Sequence, residues 1–453
     1  MRLPVSKISI FLVSTVVLLF CLYVLGVIAI LQAGSIGVQL LQLVMITAAV
    51  VLSFQGIFTL FWMLFGWENP EKVQQESRPT VLFQPELSFS LLVPARFESQ
   101  VIGRTIKALA RLEYPESLIE VLILCKIDDI KTITKAVQAI RETGKKNMRV
   151  LELDLIESSK PSALNLGLEV ARNEIVGVFD AEDEPNKHIL DVVNSVFLTK
   201  KTDVVQGGVQ LMNYNSKWYS PLNVLEYYFW YRSALYLFSK LKVVPLGGNT
   251  VFFKTKALRR AGGWEECLTE DAEIGLRFSM EGKRIRILYD ARITTAEESP
   301  ASIEALLKQR TRWNQGFLQI LVKREWLGFR SLHRRVFAGY FLLLAQLNAL
   351  NFVLVFGSVL TFFVDLPVFA TLVVLFPMYL LGLQLLTQLL GYHEFCKDFK
   401  QPFSVIICVR IVIGFIPYQM VLAFAAFRAI VRHFKNEENW EKTPHENLHR
   451  LRV

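Results

Sequence analysis

The chain has 453 residues, 52% of them hydrophobic, and a formal net charge of +9. That length exceeds what one ordinary core organises, and the basic residues crowd beside apolar segments, which fits an anionic membrane surface or substrate and argues against nucleic acid as a partner. The five cysteines, Cys21, Cys125, Cys267, Cys396 and Cys408, include no CxxC pair, which speaks against a zinc site or a disulfide framework.

Residues 8–31 carry no charge and are long enough to cross a hydrocarbon core of about 30 Å at about 1.5 Å per residue. No shorter apolar region with a small-residue cleavage site marks them as a signal peptide. A second uncharged run, 40–65, follows the connection "QAGSIG". Arg2 and Lys7 precede the first run, so the positive-inside rule puts the N-terminus in the cytoplasm and brings the chain back there. Residues 1–67 are thus expected as a transmembrane hairpin.

From residue 68 to 335 short apolar runs alternate with helical stretches. Strands are expected at 87–93, 119–125, 149–154, 174–180, 203–211 and 251–254. Their β-branched, unbroken apolar character fits a mainly parallel sheet covered on both faces, a Rossmann-like α/β domain. Ligands of such sheets bind beyond the carboxyl ends of the strands.

Several acidic motifs stand at those ends. The first strand runs into "PARFES", bearing Glu98, and the second into "KIDD", bearing Asp128 and Asp129; surface turns are also rich in Asp. The fourth runs into "DAEDEPN", with Asp180, Glu182, Asp183 and Glu184. Hard oxygen ligands this close suit Mg²⁺ or Mn²⁺ bridging a diphosphate, against the bland reading of a solvated turn. Lys160, in "KPSALNLG", stands one helix upstream and could neutralise a phosphate or a carboxylate. In "LTEDAEIG" Thr269 has the place of a helix N-cap, with Glu270 and Asp271 in the first turn. There the macrodipole alone would favour carboxylates; alternatively Asp271 is a general base.

The stretch "LLKQRTRWNQGF", 306–317, belongs to a helix expected to begin near Ser299, its cap, with Pro300 in the first turn. At about 100° per residue Gln309, Arg312, Trp313 and Gly316 share one face while Arg310 points elsewhere. That face could grip a pyrophosphate and border a sugar, or lie at a membrane boundary.

Residues 337–363 and 368–390 read as two further spans. Residues 403–427 contain Arg410 and "GFIP", and a single crossing would put the basic tail outside, so a broken, re-entrant or interfacial segment is expected. Residues 336–434 thus form transmembrane or interfacial helices and 435–453 a cytoplasmic tail.

Four motifs in order, "KPSALN" at 160, "DAEDEP" at 180, "TEDAEIG" at 269 and "QRTRW" at 309, resemble the membrane-bound family-2 glycosyltransferases, which include cellulose, hyaluronan and poly-N-acetylglucosamine synthases. Bacterial members read "KPKALN", "DAED.P", "TEDADLG" and "QRSRW". The resemblance implies a GT-A fold, a nucleotide-diphosphate sugar donor (UDP-sugar favoured), Mg²⁺ or Mn²⁺, and inversion at the anomeric carbon. Carried over, Glu98 and Asp128 or Asp129 would hold the nucleotide, with Lys160 nearby. Asp180 begins the DxD-type metal motif, with Glu182 or Asp183 as second ligand. Asp271, beside Glu270, becomes the base. Gln309, Arg312 and Trp313 become the diphosphate and acceptor-entrance residues, and Gly247, Gly248 and Asn249 of "PLGGN" line the acceptor pocket. In the tail, "NWEKTPH" is similar to a segment that closes over the nucleotide, which would make Trp440, Lys442 and Thr443 gating residues.

The expected protein is an integral, multi-pass plasma (inner) membrane enzyme with its catalytic domain in the cytoplasm. It would elongate a β-linked polysaccharide; the alternative is a glycolipid synthase adding one sugar to a lipid such as diacylglycerol. A transporter or scaffold that has lost activity is a third reading, disfavoured by the retained carboxylates. Membrane lipid is an expected partner, and a homo-oligomer or an accessory membrane subunit is compatible.

Overall fold

A computed structural model describes residues 7–32, 35–68, 70, 73, 75, 79, 81–154, 159–199, 201–352, 359, 365–437 and 441, with side chains from residue 14 onward. Two long apolar helices, α1 (Lys7–Leu31) and α2 (Ile36–Glu68), open the chain. The central domain then runs β1 (Phe89–Ala95), α3 (Ile102–Leu109), β2 (Ile119–Lys126), α4 (Ile130–Thr143), β3 (Met148–Leu153), α5 (Lys160–Val170), β4 (Ile175–Val178) and α6 (Ile189–Thr199). It continues through β5 (Val204–Gly207), β6 (Val209–Leu211), α7 (Ser220–Phe229), a π-helical turn Trp230–Ala234, α8 (Leu235–Leu241), β7 (Val251–Lys254) and α9 (Thr255–Arg260). It closes with α10 (Glu270–Met280), β8 (Ile285–Leu288), β9 (Thr295–Glu297) and α11 (Ile303–Lys323). Three apolar helices follow: α12 (Leu332–Leu347), α13 (Val368–Asp398) and α14 (Val405–Phe434).

The main sheet has the order β3-β2-β1-β4-β7-β5-β8. Every pairing in it is parallel except those of β7, which runs antiparallel to β4 and β5. Alternate side chains serve two cores. Leu92, Leu122 and Val176 pack with α5 and α8, whereas Leu91, Val121 and Ile175 pack with α3, α4 and α6. Burial on both faces explains why these strands lack a polar alternation.

The expected strand 203–211 is two strands in different sheets, since β6 leaves to pair with β9. The Gly207-Gly208 pair permits the crossing: a Cβ on Gly207 would stand 2.5 Å from Thr250 Cγ2, and one on Gly208 2.9 Å from Tyr289 Cδ2.

Among the described residues four helices are long and apolar enough to cross a membrane: residues 14–31 of α1, then α2, α13 and α14. Of the expected span 337–363, residues 337–347 belong to α12, which starts five residues earlier at Leu332, and the part beyond 352 lies largely outside the described residues. Residues 403–427 correct one of the expected alternatives, the break, because α14 continues unbroken through Pro417. Gly414 serves close packing on α7 instead of a break; a Cβ there would lie 3.2 Å from Trp218 Cε3 and 3.3 Å from Leu222 Cδ1. One side of α14 exposes Val405, Ile406, Val409, Val412, Ile413 and Ile416, while Ile407, Ile411, Phe415 and Tyr418 are buried. Arg410 folds off the apolar side to donate to the Asn215 carbonyl at 3.1 Å.

Candidate active site

A cavity of about 970 Å³ opens beyond the carboxyl ends of β1 to β4, where a parallel sheet exposes its loops. Arg96 and Glu98 line it after β1, Lys126 at the end of β2, Lys160 at the start of α5, and Asp180 and Glu182 after β4. Lys160 is the tie between these walls. Its Nζ donates to Asp180 Oδ1 at 2.6 Å and to the Gly248 carbonyl at 3.0 Å, and lies 3.6 Å from Glu270 Oε1. Burial works against its charge, but Asp180 and Glu270 outweigh that and hold the ammonium above its ordinary range. α5 begins there because Ser159 caps it, accepting from Ser162 N at 3.1 Å, with Pro161 in the first turn.

The turn after β4 sorts its carboxylates. Asp183 turns inward, accepting from Asp180 N and from Asn249 Nδ2, both at 2.8 Å, and is fully buried. Glu182 and Asp180 face the cavity. Burial, then Asp180 and Glu182, push the Asp183 carboxyl well above the usual carboxylate range. Asp180 and Glu182 therefore form a cavity-facing pair of hard oxygen donors, and Asp183 braces the turn that carries them. Among the described residues the carboxylate trio with mutually close oxygens lies elsewhere, at Glu265, Glu273 and Glu325. It is already served by Arg277, 2.9 Å from Glu273, and Lys323, 3.2 Å from Glu265.

Opposite stands the start of α10. Thr269 occupies the N-cap position, but its side chain makes no capping bond. It packs against Gly316 of α11 instead, where a Cβ would lie 2.4 Å from Thr269 Oγ1 and 2.8 Å from Thr269 N. Gln319, one turn on, accepts from Leu268 N at 3.0 Å. α11 is thereby seated on the segment that leads into Glu270 and Asp271. Burial, then the neighbouring Glu270, push the Asp271 carboxyl up to about 7, with Lys160 pulling the other way. Gly248 admits this crowding, since a Cβ there would stand 3.1 Å from Asp271 Oδ2 and 3.2 Å from Lys160 Nζ. Gly247 and Asn249 line the same wall.

α11 itself starts at Ile303 with Ser302 as cap, accepting from Ala305 N at 3.1 Å. This corrects the expected start at Ser299, whose amide instead donates to Asn213 Oδ1. Gln309, Arg312 and Trp313 line the cavity, as their common face requires, and so does Arg310. The sequence reading set Arg310 apart, but its guanidinium lies 4.4 Å from the Trp313 ring centroid and pairs with Glu226 of α7. A phase angle neglects the reach of a long side chain folding back onto the next turn.

Asp128 and Asp129 are not among the cavity-lining residues. Asp129 caps α4, accepting from Thr132 N at 3.2 Å, and holds the loop after β1 by accepting from Phe97 N at 2.5 Å. Asp128 is exposed, 3.2 Å from Lys126 Nζ. Sequence reading missed Glu297, which lines the cavity and is raised well above its usual range by burial and then by Asp183; nothing in "TTAEESP" separated it from its neighbours. It also missed an apolar arm of the cavity built by Trp62, Trp230, Phe317, Phe341, Leu344 and Leu422. Trp440, Lys442 and Thr443 lie outside the described residues. At Glu437 and Glu441 the chain is held by two helices: Gln315 Nε2 of α11 donates to the Glu437 carbonyl at 2.7 Å, and Arg428 of α14 grips Glu441 with two bonds of 2.7 Å.

A family model described as "Glycosyltransferase like family 2" matches residues 85–316, about half of the chain. Beta-monoglucosyldiacylglycerol synthase of Nostoc sp. (strain PCC 7120 / SAG 25.82 / UTEX 2576) is 29% identical over 302 residues, 65% of this chain and 60% of that protein. The probable glycosyltransferase YdaM of Bacillus subtilis (strain 168) is 23% identical over 377 residues, 80% of this chain and 87% of its own. Poly-beta-1,6-N-acetyl-D-glucosamine synthase of Staphylococcus epidermidis is 27% identical over 287 residues, 61% and 65%. The chain spans less than two thirds of the length of the first and third of these relatives. Among solved structures, the mannosyltransferase PcManGT from Pyrobaculum calidifontis, in complex with GDP-Man and Mn²⁺, superposes with a TM-score of 0.52 at 16% identity, covering 87% of this chain and all of that one. With a mostly parallel GT-A sheet, a cavity at its strand ends and this match over residues 85–316, the chain belongs to the family-2 glycosyltransferases.

Proposed function

We propose that the chain is an inverting, metal-dependent hexosyltransferase that moves a sugar from a nucleotide-diphosphate donor, preferably a UDP-sugar, onto a growing β-linked polysaccharide at the membrane. The observation that carries the reading is the meeting of Asp271, Lys160, Asp180, Arg312 and Trp313 around one cavity. Glu98 and Lys126, which line the cavity, would contact the nucleotide. Asp180 and Glu182 would hold Mg²⁺ or Mn²⁺, which when bound supplies positive charge to the diphosphate. Lys160, Gln309 and Arg312 add donors for charge that develops on the leaving diphosphate. Asp271 accepts the proton of the acceptor hydroxyl as that oxygen attacks the anomeric carbon from the face opposite the diphosphate. Gly247, Gly248 and Asn249 shape the acceptor side, and Trp313 offers its indole face to the incoming sugar. In this reading the apolar helices hold the enzyme in the plasma (inner) membrane as a multi-pass protein, with the central domain in the cytoplasm.

Purified protein incubated with labelled UDP- and GDP-sugars, with EDTA and with restored Mg²⁺ or Mn²⁺, tests the reading. Metal-dependent incorporation into high-molecular-weight glycan is expected; products carrying one added sugar would overturn the processive claim. The apolar arm favours a second reading, transfer of one sugar to a lipid such as diacylglycerol, because its side chains offer a hydrocarbon chain more than they offer sugar hydroxyls. Label extracted with the lipid fraction would decide for it.

A further inference from the structure

Arg310 carries more order than a surface arginine needs. Its side chain is 13% exposed, its Nε is buried without a hydrogen-bond partner among the described residues, and its guanidinium stacks on Trp313. A guanidinium free to choose would turn that Nε towards an acceptor; here stacking takes precedence. Trp313 is flanked on another side by Tyr227, ring centroids 6.3 Å apart and planes inclined by 42°. The carboxylate that pairs with Arg310, Glu226, also accepts from Tyr418 Oη of α14 at 2.7 Å. Tyr418 Oη in turn accepts from Asn223 Nδ2 of α7 at 3.3 Å, and the tyrosine is 1% exposed. Three helices thus meet at one carboxylate.

We infer that Arg310 is a positioning residue for Trp313, held in place by Glu226 and Tyr418, so that the seat of the apolar helix α14 sets the angle of the indole at the acceptor entrance. The inference rests on the proposed acceptor role of Trp313. The planar fork of arginine can stack on the indole and meet a carboxylate at once, which a lysine ammonium cannot. Breaking one half of a buried ion pair strands the other charge, so Glu226 and Arg310 are coupled to folding, whereas Tyr418 contributes one hydroxyl.

The test uses the full chain labelled with 5-fluorotryptophan, the Trp313 resonance being identified by its loss in Trp313→Phe. Arg310→Lys and Tyr418→Phe are expected to shift or broaden that resonance. In transfer assays each should raise the acceptor KM by about 3- to 30-fold, the span of cation–π contacts from exposed to desolvated, and leave UDP affinity within about twofold. In the Trp313→Phe background Arg310→Lys should add less than about twofold, since contacting residues couple. An unmoved Trp313 resonance in both variants, a parallel loss of UDP affinity, or full multiplicative effects in the double variant would overturn the inference. If Arg310→Lys does not fold, Tyr418→Phe alone decides. If the wild-type protein transfers no sugar, the proposed function fails while the fluorine spectrum still reads the positioning.

Discussion

Gly316→Ala tests whether α11 and the segment that leads into Glu270 and Asp271 act as one unit. The new Cβ would lie 2.4 Å from Thr269 Oγ1, 2.6 Å from its Cγ2 and 2.8 Å from its backbone N, so the loop backbone itself is roughly 0.6 Å short of ordinary contact at 3.4 Å. Overpacking of this kind costs about 1–3 kcal/mol, while alanine gains about 1 kcal/mol over glycine inside a helix. Net stability should therefore fall by only about 0–2 kcal/mol. Catalysis is less forgiving: the displaced atom, Thr269 N, lies two residues before Asp271, and since a misplacement of about 1 Å costs on the order of 100-fold, a shift of roughly 0.6 Å costs about 10-fold. The expected signature is a kcat lowered by about 10-fold with a small loss of thermal stability, read from initial rates at saturating donor and from a melting curve. Adding Thr269→Ala removes the Oγ1 and Cγ2 contacts and leaves the backbone one, so about 3-fold should return, a share of the same misplacement cost. Wild-type turnover in Gly316→Ala, or no recovery in the double variant, would refute the coupling.

Other predictions follow from the same geometry. A base must be ionised to accept a proton, and burial followed by Glu270 raises the Asp271 carboxyl to about 7; kcat/KM should therefore rise with pH through about 7 and fall below it, and a flat profile between about 6 and 8 would contradict the assignment. Glu182→Gln should raise the Mn²⁺ needed for half-maximal rate by about 10-fold or more. Asp183→Ala should instead cost about 1–3 kcal/mol of stability, by stranding Asn249 and the Asp180 amide; denaturant melts and metal titrations separate the two. Asp129→Ala should cost about 0.5–2 kcal/mol through the lost cap and leave the donor KM within about twofold in steady-state assays. A donor KM raised more than tenfold would restore a nucleotide role to that carboxylate.

Of the strands that sequence reading found, β1, β2 and β4 are covered on both faces, so hydrophobic continuity marked them; β3, at the edge with Arg149 and Glu152 exposed, and β5, β6 and β7 were found from shorter β-branched runs. β8 and β9 escaped because four residues with an arginine inside, "IRIL", and three with only one apolar residue, "TAE", bury too little apolar surface to stand out. The carboxylates at strand ends were legible because the sheet's topology delivers them to one edge. Which of Glu182 and Asp183 faces the cavity was not, because neighbouring positions in a turn differ only by backbone angles. Arg310 and Thr269 were misjudged for a shared reason. Each is defined by a partner on another helix, Glu226 for one and Gly316 for the other, and no local pattern carries that information.

The contact between Lys160 and Asp180 has a consequence for how the site fills. The free protein supplies its own counter-ion, an ammonium 2.6 Å from the carboxylate that faces the cavity. On the function proposed above, a cation at Asp180 would replace the ammonium as its partner, and Lys160 would be left to meet a phosphate. Loading would then be an exchange of partners at Asp180, its strength resting on short-range fit. Added salt, which acts over about 10 Å at 0.1 M, should weaken it little.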